Sequence, residues 1–149
     1  MKANIANLTR NVCLLLVSLL MLASVTSVMA AEREEKVVYH VSDSVNATAA
    51  LRNARNHLDQ SPKAKIVFVT HGAGIDFLLE GAMDKNGNPY DIPVQELAAR
   101  KVEFRVCNNT LVGRKIDKSK LLPEATIVPS GVAEVSRLQI FEGFAYIKP

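Results

Sequence analysis

The chain has 149 residues, 48% of them hydrophobic, with 18 Lys and Arg against 15 Asp and Glu. That length suits one domain with a sizeable core. The formal charge of +3 is not gathered into any Lys/Arg cluster, so nothing in the sequence asks for a nucleic-acid partner.

Part of the basicity sits at the very start. Lys2 and Arg10 precede the apolar run VCLLLVSLLMLASV (12–25), and Val28 and Ala30 offer small residues at the two recognition positions of a cleavage after Ala30. This is the pattern of an export signal over residues 1–30, leaving a domain over 31–149. An uncleaved signal of about 20 apolar residues just reaches across a bilayer, and that is the only membrane contact expected. With Lys2 and Arg10 removed, the 18 basic residues fall to 16 and the domain is nearly neutral. Cys13 leaves too, so Cys107 is the single cysteine of a chain expected in the periplasm. It has no internal disulfide partner. It is buried, paired with another chain, or reactive.

After the lead-in AEREEK (31–36), extended and helical patterns alternate. KVVYHV (36–41) is β-branched and aromatic and predicts a strand. In NATAALRNARNHLDQ (46–60), Ala47, Ala50, Leu51, Ala54 and Leu58 share one helical face, and Pro62 closes the connection. His57, between polar neighbours, is expected in solvent. KIVFVTHG (65–72) is a continuous apolar run, as in a strand covered on both faces. GIDFLLEGAM (74–83) reads as a short helix, and DKNGNPYD (84–91) as a surface loop. IPVQELAARK (92–101) predicts a helix capped by Asp91, with Pro93 in its first turn. VEFRVC (102–107) is a third strand and NTLVGRKI (109–116) one or two helical turns. ATIVPSG (125–131) holds a fourth strand, GVAEVSRLQIFEG (131–143) a long helix stopped by Gly143, and FAYIKP (144–149) a fifth strand.

Strands alternating with helices imply right-handed crossovers and a mainly parallel sheet with helices on both faces. The carboxyl ends of such strands share one edge, where chemistry collects. His40, Ser42, Asp43, Thr70, His71, Gly72, Cys107, Asn108, Ser130 and Gly131 fall there by topology.

Cys107 ends a strand and is followed by Asn108, Asn109 and Thr110, all helix-capping types. Backbone N–H groups near Asn109 and Thr110 are expected to favour its thiolate. Alternation puts Arg105 on the same face, its charge acting the same way and partly cancelled by Glu103. A plain core cysteine is the competing reading. His71, in THGAG, is a proton acceptor for the thiol or a loop-pinning histidine. Gly72 and Gly74 could cradle an anion, without the remainder of a nucleotide fingerprint. Ser130 and Gly131 open the last helix, as a cap or as a site for a sulfur oxyanion. His40, His71, Asp43 and Cys107 lack metal-ligand spacing, so no metal is expected.

VCNNTL and ATIVPSGVAEVSRLQIFEGFAYIKP, on a β/α frame opened by KVVYHVSD, resemble the DsrE/DsrF-like family, in particular its small exported branch. The likeness covers about residues 36–149. It implies a three-layer α/β/α fold on a five-stranded, mainly parallel sheet, and assembly into homo-oligomers, often trimers or hexamers. It implies a persulfide carried on Cys107, exchanged with a sulfur donor or acceptor protein or a small sulfane-sulfur compound. No cofactor is implied. Two other readings stand beside this one: a non-enzymatic oligomeric binding module with a structural cysteine, and a redox sensor that joins subunits through Cys107.

Overall fold

The computed structural model of the chain describes residues 34–149; the expected signal segment lies outside them. Five strands form one parallel sheet: β1 (Lys36–Val41), β2 (Lys65–Thr70), β3 (Glu103–Cys107), β4 (Ala125–Val128) and β5 (Ala145–Ile147), in the order β4-β3-β2-β1-β5. The helices are α1 (Ala47–Gln60), α2 (Asp91–Ala99), α3 (Asn108–Arg114) and α4 (Gly131–Glu142).

From β1 to β4 the chain steps one strand at a time in one direction. α1, α2 and α3 all lie over the same face. There Phe68 and Phe104 pack with Leu51, Leu58, Val94, Leu97 and Leu111 in a core of 22 buried residues. After β4 the chain must return to the far edge to form β5. A right-handed crossover running backwards can only pass over the other face. α4 therefore lies alone on that face, above a smaller core of Val38, Val67, Val69, Val135, Leu138 and Phe144. The three layers are thus unequal: three helices on one side, one on the other.

The elements depart from the sequence expectation in small ways. The short helix expected over 74–83 is a 3-10 segment, Gly72–Leu78. It starts early because the loop must turn at once beneath β1. A Cβ added at Gly74 would lie 2.1 Å from the Val41 carbonyl oxygen. Gly74 N–H donates to the Ser42 and His71 carbonyls, and Gly72 N–H to Thr110 Oγ1. These donors are spent inside the fold: Gly74 is required by space and Gly72 by its φ of +59°, and neither N–H is left for the anion cradle considered above. α2 is preceded by Tyr90, and Asp91 falls in its first turn, its carboxylate accepting from Ile92 N–H. His57 is not left to solvent: its ring meets Glu35 at 2.7 Å and the Tyr39 hydroxyl at 3.1 Å, tying the lead-in to α1.

Gly74→Ala is expected to lower the unfolding free energy by about 3 kcal/mol, because its methyl has nowhere to go but into backbone. A urea titration checks it; an unchanged midpoint would show that this loop yields freely.

Candidate active site around Cys107

Cys107 closes β3, and two neighbouring strand ends part company there. The chain leaving β3 enters α3, whose Leu111 packs on the three-helix side. The chain leaving β4, paired beside it with Cys107 opposite Val128, enters α4 on the other side. This divergence is the switch point at which parallel sheets gather ligands.

The gap is filled from α4. Ser130 caps that helix, its hydroxyl accepting from Ala133 N–H at 3.4 Å. Gly131, buried, follows immediately. A Cβ built on Gly131 would lie 3.2 Å from each of Cys107 Cβ, His71 Cβ and Thr70 O. The missing side chain lets the start of α4 close on Cys107, and the Gly131 N–H is among the groups that lower the thiol pKa. Thr110 serves from the other side. Its hydroxyl oxygen accepts from Gly72 N–H at 3.0 Å, which leaves its own hydrogen free for the thiol.

Cys107 is only 5% exposed. Burial is the largest influence on its thiol and pushes the pKa up. The Gly131 N–H, the Thr110 hydroxyl and N–H, and the Asn109 N–H together outweigh it, and the pKa lies below the ordinary thiol value. Hydrogen-bond donation to sulfur favours the anion that can accept it.

Arg105 has a different place from the one expected. Its guanidinium pairs with Glu103 at 2.5 Å and with Glu134, a nearly buried carboxylate of α4. Arg137 also holds Glu134, at 2.8 Å, and Glu142, at 2.6 Å. Arg137 together with Arg105 keeps the Glu134 carboxyl below the usual range against the opposing effect of burial. Arg105 thus anchors α4 to β3. Its charge is answered twice over, so the expectation that it polarises the thiol is corrected: dipolar N–H and O–H donors act there instead.

His71 also differs from expectation. It lies beside the thiol, its Cβ and that of Cys107 each close to Gly131, yet no hydrogen bond joins it to Sγ. Its Nε2 is 2.7 Å from His40 Nε2, and His40 Nδ1 is 2.7 Å from the Tyr146 hydroxyl. Burial, then the charges of His71 and Lys148, lower the pKa of His40. Of the residues expected at the site, Cys107, His71, Asn109, Thr110 and Gly131 converge, Ser130 contributes as a cap, and Arg105 is diverted. His40 and Tyr146 join unannounced. His40 was visible as a strand-end histidine, whereas Tyr146 became a neighbour only once β5 was placed beside β1.

Among the described residues, no group of three or more His, Cys, Asp or Glu side chains is placed to hold a metal ion. A cavity of about 420 Å³ lies between α1 and the start of α2, lined by Thr48, Leu51, Arg52, Tyr90 and Ile92 among others, and includes none of the site residues.

A five-stranded parallel sheet that reverses its winding, with a cysteine at the switch point, defines a three-layer α/β protein. Residues 34–149 match the model of the DsrE/DsrF-like family, and the chain belongs to that family, which has a sulfur-relay fold. The solved structure of MTH1491 from Methanobacterium thermoautotrophicum, a protein of unknown function, is similar, with a TM-score of 0.69 and 30% identity over 78% of this chain and 100% of that one. The ychN protein from E. coli has the same fold, with a TM-score of 0.64 and 15% identity over 78% of this chain and 100% of that one. No curated protein matches the chain.

Gly131→Ala is expected to displace the first turn of α4 from Sγ by a few tenths of an ångström. The alkylation midpoint of Cys107 then rises by about half a pH unit, a fraction of the 1.36 kcal/mol that one unit represents. Iodoacetamide rates measured against pH check this; an unmoved midpoint would remove Gly131 as a donor.

Proposed function

We propose that the protein handles sulfane sulfur, with Cys107 as nucleophile and transient persulfide carrier. One observation carries the reading: a nearly covered cysteine stands at the switch point against the start of α4 and beside Thr110, and the donors of Gly131, Thr110 and Asn109 bring its pKa below the ordinary thiol value in spite of burial. In the reaction, Cys107 thiolate attacks the outer sulfur of a donor R–S–SH. A new S–S bond forms on Cys107 as the bond between R–S and the sulfane sulfur breaks. The electron pair leaves on R–S⁻, which takes up the proton that the thiol released. Oxidation state is conserved overall, and no further reactant is needed.

With Cys107 as a whole residue 5% exposed, its sulfur is reached by a thin linear molecule more readily than by a protein's cysteine loop. Small polysulfides are therefore the favoured donors. The same covering speaks against a disulfide between subunits, which needs two such sulfurs in contact. It does favour a second reading, a binding module in which Cys107 only packs.

Purified protein given inorganic polysulfide is expected to gain about 32 Da, one sulfur atom, on Cys107, and Cys107→Ser to gain none. Alkylation with a midpoint below about 8.5 accompanies it. Absence of the adduct, or slow labelling at every pH, would leave the binding module.

The site is assigned to the periplasm on the strength of the amino-terminal signal pattern, and to a homo-oligomer. The second point is supported by Ile140 and Phe141 near the end of α4, which are 70% and 80% exposed. Two neighbouring bare apolar side chains of this size suit a partner surface. The periplasmic fraction is expected to yield a chain beginning at Ala31 whose light-scattering mass is a multiple of the protomer. An intact Met1 or a monomer mass would remove the corresponding part.

A further inference from the structure

We propose that His71, His40 and Tyr146 form a relay that carries the Cys107 proton between the reacting sulfur and solvent. His71 is the member beside the thiol, and His40 and Tyr146 are positioning residues that set its tautomer. The proposal rests on the reading of Cys107 as a reacting thiol.

The four side chains occupy four neighbouring strands in spatial order: β3, the end of β2, β1, β5. Alternation puts all four on the α4 face. Val38 and Val69 belong to the core under α4, so His40 and His71, each two residues further on, project the same way. Tyr146 is paired with Val38, and Cys107 lies two residues beyond Arg105, which meets Glu134 of α4.

Two ring nitrogens 2.7 Å apart must share one hydrogen. His40 Nδ1, 2.7 Å from the Tyr146 hydroxyl, then has its role set by the other end of the ring. Two settings satisfy the chain. In the first, His71 Nε2–H donates to His40 Nε2, His40 Nδ1–H donates to Tyr146 oxygen, and His71 Nδ1 carries a free lone pair. In the second, every hydrogen has moved along by one place. A proton accepted from Cys107 at His71 Nδ1 converts the first into the second and releases one proton from the Tyr146 hydroxyl. The return carries a proton back to the leaving thiolate. Between His71 and Tyr146 no heavy atom needs to travel; only the gap between Sγ and His71 Nδ1 has to close. Tyr146 is 41% exposed and opens the line to water. Of the charged groups, Lys148, just past β5, acts on His40; the Arg105, Glu103, Glu134 and Arg137 cluster is paired within itself on the α4 side, and Arg114 is held by Asp76 and the Gly72 carbonyl. Burial and the neighbouring charges keep His40 from storing a proton, which suits a conductor.

The test uses the full chain with His40→Gln and Tyr146→Phe. The glutamine amide can still hold the His71 ring but passes no proton, and the phenylalanine lacks only an exposed hydroxyl. Sulfur uptake from polysulfide is expected to slow about tenfold at neutral pH in His40→Gln, less in Tyr146→Phe, with imidazole in the buffer restoring part of the rate. Nitrogen NMR of the wild type is expected to show His71 and His40 changing tautomer when Cys107 is alkylated. Variant rates equal to wild type with no imidazole response, or tautomers indifferent to alkylation, would overturn the relay. Wild-type protein that takes up no sulfur would overturn the persulfide reading instead, and the NMR result then decides the relay alone.

Discussion

The site depends on how closely α4 approaches the end of β3. Gly131 makes that approach possible, because a methyl group there would press on Cys107, His71 and the Thr70 carbonyl together. The approach is itself a product of chain handedness. Four strands wind one way, the fifth must be reached by turning back, and the turning helix has only the empty face to cross. The strand ends that it separates are those carrying the cysteine and the glycine. Fold and chemistry therefore share a single cause.

Within that geometry, two opposed effects meet at the sulfur. Covering raises the cost of charge, and four donors lower it further than covering raises it. Formal charge is used elsewhere. Arg105 is next but one to the cysteine, yet it is consumed in holding α4 down through Glu134. A cation left free at this depth would demand its own counter-ion, whereas backbone amides and one hydroxyl bring no net charge and need none. The thiol pKa is thus lowered without a net charge beside the sulfur.

Much of the scaffold was legible from local pattern. The apolar run over 65–70, the helical face of Ala50, Leu51, Ala54 and Leu58, and the cap-to-stop span from Ser130 to Gly143 each announce their element without tertiary help. The site was legible only in part. Cys107, Thr110 and Gly131 stood out because each sits at the end or start of an element. The partner of Arg105 did not, since Glu134 is 29 positions away and faces it only because α4 lies on that side. Tyr146 and His40 are 106 positions apart, and nothing short of strand order makes them neighbours. Gly74 shows the converse: its spacing from Gly72 looked chemical, while the reason for it is the Val41 carbonyl beneath.

The unequal layers have one further outcome. Six buried residues and a cluster of ion pairs hold α4, while three helices share the 22 residues of the other core. Folded chains open locally in units of about this size. A momentary lifting of this helix would uncover the sulfur and, in the same movement, take away the Gly131 amide. Exposure and thiolate stability are thereby set against each other: the conformer that uncovers the sulfur carries the more ordinary thiol, and the lowered pKa belongs to the conformer in which the helix stays down.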